Sequence, residues 1–149
     1  MNRLRTLALS SFALFAGSLG AKTACEVLPI DDAVVVLSQN AQQRDLGTAG
    51  CAYEIATPYL LLRATPPEPM GTSFAQLKKA FKEKGATVKD EPGIGSASFS
   101  VATKDLQAIY VIQGSTEFTI ELSNPGSSTP LPDLMNKMRD VAKRAAARL

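Results

Sequence analysis

Hydrophobic residues recur with helical spacing in three segments of the chain. Apolar and polar positions follow the helical period over residues 29–38, 73–84 and 132–149, and each segment is predicted to be an amphipathic helix. Ser73 has the context of a capping box at the start of the second helix, and Gly85 follows its end, where a left-handed residue is common. Each helix is expected to bury one face.

Two other parts of the chain have patterns typical of β-strands. Residues 51–56 and 59–64 are short apolar runs separated by a Thr-Pro turn, and they predict a hairpin. Residues 96–123 predict a three-stranded antiparallel meander. The middle strand of the meander is apolar on both sides, so we expect both sides to be covered. The first strand has one hydroxyl-bearing face that we expect to be wet, formed by Ser96, Ser98 and Ser100.

The order of the predicted elements, α-β-β-α-β-β-β-α, indicates an α+β fold. We expect an antiparallel sheet of about five strands packed with helices, in a single domain over residues 21–149. The polar stretch 39–50 and the proline-rich stretch 66–71 are predicted to be connections.

The first 20 residues have the composition of a signal peptide. Arg3 and Arg5 precede an apolar run over residues 7–19, and small residues follow it, so cleavage is expected after Gly20 or after Ala21. The run is shorter than the roughly 20 apolar residues needed to span a bilayer, and no stable membrane anchor is expected. Acylation of the nearby Cys25 is disfavoured, because Lys22 lies where that processing requires a leucine. The sequence therefore predicts a periplasmic or secreted protein.

Two cysteines, Cys25 and Cys51, are the only ones in the chain. In an oxidising compartment two thiols of one small domain most often form a disulfide, and this one would close a loop of roughly 27 residues, worth about 3.5 kcal/mol in the chain-entropy model. Metal ligation and thiol redox chemistry are the alternatives, but the chain has no histidine and no Cys-x-x-Cys pair. We expect a structural disulfide and neither a metal nor a cofactor.

The charge balance argues against nucleic acid as a partner. The chain has 16 Lys and Arg against 14 Asp and Glu. Two of the basic residues lie in the predicted leader, so the remaining 14 match the 14 acidic residues. A nucleic-acid binder needs a surplus of basic residues to displace counterions from phosphates.

The absence of histidine excludes an imidazole general base. The adjacent acidic pairs Asp31-Asp32 and Asp90-Glu91 are interpreted as solvated charge rather than an acid and base pair, since neighbouring residues point in different directions. Gly93-Ile94-Gly95 begins like a dinucleotide-binding fingerprint, but strand periodicity follows it instead of a helix. We expect these glycines to provide a tight backbone entry to the meander.

The chain resembles a diffuse group of small bacterial cell-envelope proteins, some of them lipoproteins. The shared features are a cysteine soon after the leader, a second cysteine followed by an aromatic residue (Cys51-Ala52-Tyr53), and a Gly-x-Gly that enters strands (Gly93-Ile94-Gly95-Ser96-Ala97). The element order is also similar to the PsbP-type α+β fold. The resemblance implies a fold and a compartment but no activity.

The leading hypothesis is a small exported, non-enzymatic binding module with an unknown ligand or envelope protein as its partner. The alternative is a small periplasmic enzyme, hydrolase-like, that works without histidine through scattered residues such as Arg63, Tyr59 and a carboxylate. A concave pocket holding at least two titratable groups with shifted pKa values favours the enzyme. A flat apolar patch favours a partner protein.

Overall fold

A computed structural model describes residues 21–69 and 74–149. The described residues form four α-helices: α1 (Ala24–Val27), α2 (Ile30–Leu37), α3 (Phe74–Glu83) and α4 (Met135–Ala147), and a short 3-10 helix over Gly47–Ala49. They also form eight strands: β1 (Gln42–Asp45), β2 (Cys51–Ala56), β3 (Tyr59–Ala64), β4 (Glu68–Pro69), β5 (Thr87–Asp90), β6 (Ala97–Ala102), β7 (Leu106–Gln113) and β8 (Thr116–Ser123). None of the described helices is long and apolar enough to cross a membrane.

All eight strands lie in one antiparallel sheet. Its order is β1-β2-β3-β8-β7-β6-β5, and the short β4 pairs with the far end of β8. The α+β class, the hairpin and the meander are therefore confirmed. Strand β3 of the hairpin pairs with β8 of the meander, which is distant in sequence, with Leu62 opposite Leu122. This pairing joins the hairpin and the meander into a single sheet.

The expected number of about five strands is too low, because β1, β4 and β5 were not predicted. All four residues of β1 are exposed, so no alternation of apolar and polar residues marks it. It is a strand because its backbone pairs with β2, where Gln43 lies opposite Tyr53. A short, polar edge strand of this kind also resists pairing with other chains.

The main hydrophobic core lies on one face of the sheet, called here the inner face. Helices α1, α2 and α4 pack against it. Met138 and Val141 of α4 are fully buried against side chains such as Ile109 and Val111 of β7. Burying a side chain of this size contributes about 1.5–3 kcal/mol, so the stripe on α4 accounts for its docking.

The opposite face, called here the outer face, is covered by α3 over β5, β6 and β7. Phe99 and Tyr110 are stacked with ring centroids 4.9 Å apart. Phe74 of α3 meets Phe99 edge-on at 4.6 Å, and Phe81 meets Tyr110 at 5.4 Å. The middle strand of the meander is thus covered on both sides, as its pattern predicts. No residue of α3 is fully buried, so this helix lies on the sheet surface.

Three polar contacts tie the inner helices to one another. Asp32 of α2 is buried, with Arg144 Nε 2.8 Å from its Oδ1 and Arg148 Nη1 2.6 Å from its Oδ2. Arg148 Nη1 also donates to the carbonyl oxygen of Val27 at 2.9 Å. Through these contacts Arg148, at the end of α4, is linked to both N-terminal helices: to α2 through Asp32 and to α1 through Val27.

A disulfide between Cys25 and Cys51 joins α1 to β2, as the sequence predicts. The buried hydroxyl of Tyr53, two residues further along β2, donates to the carbonyl oxygen of Leu28. Burial, together with the charges of Asp32 and Asp45, raises the pKa of Tyr53 to about 12. The N-terminal segment is therefore held to the sheet by a covalent bond and a buried hydrogen bond side by side.

Candidate functional site

A buried carboxylate and an arginine form a polar cluster between the β5–β6 edge and α4. Glu91 follows β5, and its side chain is 9% exposed. Arg139 projects from the second turn of α4 and makes a two-point contact, with Nε 2.7 Å from Oε2 and Nη2 2.8 Å from Oε1 of Glu91. Two parallel N–H donors from one guanidinium to one carboxylate form one of the strongest charge-assisted hydrogen-bond arrangements in proteins.

Two serines of β6 complete the cluster. The hydroxyl of Ser100 donates to Glu91 Oε1 at 2.6 Å, and that of Ser98 donates to the backbone carbonyl of Glu91 at 2.5 Å. Arg139 Nη1 is held in turn by Asn136 Oδ1 at 2.6 Å. Each polar group is thus given a fixed partner, which is what a buried polar cluster requires.

The electrostatics of the cluster favour the charged form of both partners. Burial works against ionisation of Glu91, but hydrogen bonds from Arg139 and Ser100 outweigh it, so the pKa of Glu91 lies below its ordinary value. The same contact with Glu91 raises the pKa of Arg139. Glu91 therefore stays ionised at neutral pH and does not have the elevated pKa typical of a general acid.

A cavity of about 250 Å³ adjoins this cluster, and polar residues dominate its lining. Lys89, Ser100, Gln107, Asp133 and Arg139 are among the residues that line it. The amide of Gln107 is already used twice: its nitrogen donates to Pro132 O at 2.9 Å, and its oxygen accepts from Leu134 N at 3.1 Å. This amide fixes the start of α4, and with it the position of Arg139.

The polar cluster beside the cavity has two titratable groups with shifted pKa values, of which Arg139 lines the cavity and Glu91 does not. The Glu91 carboxylate and the Arg139 guanidinium bind each other, however. Neither group is therefore free to act as a proton donor, a proton acceptor or a nucleophile. Among the described residues, no group of three or more Cys, Asp or Glu is arranged to hold a metal ion. The chemistry that the cluster supports is structural: it anchors α4 to the edge of the sheet.

The structure corrects the expectation of a wet serine face. Ser98 and Ser100 are 7% and 4% exposed, because Glu91 and Arg139 cover them from the inner side of the sheet. Only Ser96, which lies before β6, is exposed. A serine pattern does not distinguish a face that meets water from a face that meets a buried carboxylate.

The acidic pairs Asp31-Asp32 and Asp90-Glu91 are only partly the solvated charge that the sequence predicts. In each pair one residue is exposed, Asp31 and Asp90, while its neighbour is buried and paired with arginine: Asp32 with Arg144 and Arg148, and Glu91 with Arg139. The neighbours do point in different directions, so neither pair forms an acid and base pair. The interpretation as solvated charge is wrong for Asp32 and Glu91.

The residues suggested for a histidine-free enzyme lie on the outer face of β3. Tyr59 is exposed and lines an open cavity of about 440 Å³ beside β1 and β2. Arg63 lies four residues along the same strand, opposite Glu121 of β8, and does not line that cavity. The structure therefore does not bring Tyr59 and Arg63 to one pocket.

The remaining predicted positions are placed as follows. Gly20 and Ser73 lie outside the described residues, so cleavage after Gly20 and the capping box stay predictions; Ala21, the alternative cleavage residue, is exposed. Gly93 and Gly95 both have positive φ, and a Cβ at Gly95 would lie 2.4 Å from the carbonyl oxygen of Ile112. Gly95 thus makes the close backbone approach expected at the entry to the meander.

Comparison with protein-family models, with curated proteins and with solved structures finds no match to this chain. The likeness to small cell-envelope proteins and to the PsbP-type fold stays a prediction.

Proposed function

We propose that the chain is a small exported protein, periplasmic or secreted, that binds a ligand or partner without catalysing a reaction. The observation that carries this proposal is the Cys25–Cys51 disulfide, whose first cysteine follows the predicted leader closely. Structural disulfides persist in oxidising compartments and are rare where thiols are kept reduced. The proposal extends to membership of the cell-envelope group that the sequence resembles.

The mutual pairing of Glu91 and Arg139, the two groups of the polar cluster with shifted pKa values, supports binding rather than catalysis. Arg139 lines the cavity of about 250 Å³, and its guanidinium is held by the carboxylate of Glu91. The outer face offers a better binding surface. Helix α3 covers β5, β6 and β7, and no other described helix packs over the outer side of β3 and β8. Leu61 and Arg63 of β3 are half-buried there.

Site-specific photocrosslinking in the native host tests this proposal. A photoreactive amino acid is placed at Leu61 on the outer face and, as the matched control, at Lys143 on the exposed side of α4. We expect adducts from the envelope fraction at position 61 and none at position 143. Equal labelling of both positions, or labelling only in the cytosolic fraction, contradicts the proposal.

A further inference from the structure

A small cavity under α3 has the lining of a site for an organic cation. It has a volume of about 120 Å³ and lies between α3 and strands β7 and β8. It is lined by Phe74 and Leu77 from α3, Tyr110 and Val111 from β7, and Glu117, Phe118 and Thr119 from β8. A cavity of about 150 Å³ lined by apolar side chains holds a benzene molecule, so this one suits a compact group of similar size.

The aromatic lining is suited to positive charge. Phe74 and Tyr110 belong to the aromatic cluster of the outer face, and the faces of such rings attract cations within about 6 Å. The cluster already attracts one cation from the chain itself, since Lys78 Nζ lies 5.9 Å from the centre of the Phe99 ring. Burial and the charge of Glu121 raise the pKa of Tyr110 to about 12, so its ring stays neutral in a negative environment.

One carboxylate in the lining of the cavity, that of Glu117, lacks a compensating charge among the described residues. Glu117 lies directly opposite Glu68 across the β4–β8 pair, and neither takes part in an ion pair with another described residue. Like charges directly opposite on neighbouring strands destabilise the pair. A bound cation would relieve this repulsion, which gives the cavity a charge preference in addition to its shape.

Helix α3 also leaves room for entry. None of its residues is fully buried, and aromatic contacts and the Lys78–Asp90 ion pair hold it to the sheet. We propose that this cavity binds a methylated ammonium group, such as that of choline or of a lipid headgroup that carries it.

The proposal rests on the proposed binding function but not on export. The titration below can therefore fail while crosslinking at position 61 succeeds, and the two failures are distinguishable. Purified protein is titrated with choline and with 3,3-dimethylbutan-1-ol, which has the same shape without the charge, while backbone amide resonances are followed by NMR. We expect choline to shift the resonances of Leu77, Glu117 and Thr119. We expect the neutral alcohol to bind about tenfold more weakly, since it lacks the cation–π attraction and the attraction to Glu117.

Variants separate charge from volume. Glu117→Gln removes the rim charge and is expected to weaken choline binding about fivefold or more, equivalent to about 1 kcal/mol. Glu83→Gln makes the same charge change on the exposed side of α3 and should leave choline binding unchanged. Leu77→Trp, which fills the cavity without changing charge, should abolish binding.

Vesicles of phosphatidylcholine distinguish the two sources of the group. Co-sedimentation that is lost in Leu77→Trp identifies a lipid headgroup as the ligand, and binding of choline without co-sedimentation identifies a free solute. The proposal is overturned if choline shifts none of the cavity resonances, if the neutral alcohol binds equally well, or if Glu117→Gln behaves like Glu83→Gln.

Discussion

Replacing Arg139 by methionine tests whether the buried pair with Glu91 fixes α4 to the sheet. The change removes the guanidinium and keeps most of the apolar length of the side chain. Glu91, 9% exposed, would be left with Ser100 as its one remaining side-chain donor. Breaking a buried ion pair typically costs 3–5 kcal/mol; because Arg139 itself is 29% exposed, we expect the lower figure of about 2–3 kcal/mol at neutral pH.

The pH dependence gives the sharper result. In the native protein Arg139 and Ser100 hold the pKa of Glu91 below its ordinary value, so this pair adds stability above the unfolded pKa and loses it as the pH falls through the folded pKa. Without Arg139, burial dominates and raises the pKa of Glu91. Glu91 of the folded variant then binds a proton more readily than in the unfolded chain. As the pH falls, the difference in free energy of unfolding between the variant and the native protein therefore becomes smaller.

Urea unfolding followed by circular dichroism measures both effects, with midpoints compared at neutral pH and at about pH 4. Asp90→Asn is the matched control, because Asp90 is the exposed neighbour that pairs with Lys78; this variant should change the midpoint little. A loss of stability in Arg139→Met that is the same at both pH values, or as small as that of Asp90→Asn, would refute the assignment.

Three further results are expected. Replacing Cys25 and Cys51 together by serine should lower the free energy of unfolding by about 3.5 kcal/mol, since their separation of 26 residues sets the loop entropy; an unchanged urea midpoint would contradict this. In thermal unfolding, Gly95→Ala should destabilise the protein by about 3 kcal/mol or more, and Gly93→Ala by about 1 kcal/mol. Both residues have positive φ, but an added Cβ clashes only at Gly95. Equal effects of the two substitutions would count against the close backbone approach at Gly95. In an ultraviolet titration of phenolate absorbance, two of the three tyrosines should ionise near pH 12, and a single step near pH 10 for all three would be inconsistent with their burial.

Elements with one buried face were predictable from the sequence. The three longer helices have apolar residues at helical spacing, and the hairpin strands are short apolar runs separated by a Thr-Pro turn, because each of these elements packs one side against the rest of the protein. The edge strand Gln42–Asp45 was not predictable, since all its side chains are exposed and it depends on a backbone ladder to β2. The two-residue β4 carries no pattern either.

The polar cluster shows a different limit. Glu91 and Arg139 are 48 residues apart, and no local pattern connects them. The serines of β6 were identified as one face of the strand, but a serine hydroxyl satisfied by a buried carboxylate has the same sequence pattern as one satisfied by water. The missing signal was Arg139 itself: it lies on the flank of the apolar stripe of α4, next to Met138, where an arginine reaches the edge of the core.

Export is the most direct point at which to test the account. Protein isolated from its native host is treated with an alkylating reagent under denaturing conditions, without reduction, and its intact mass is measured. We predict a chain that begins at Ala21 or Lys22 and carries no alkyl group on Cys25 or Cys51. A chain that begins at Met1 with both cysteines alkylated would contradict the central claim.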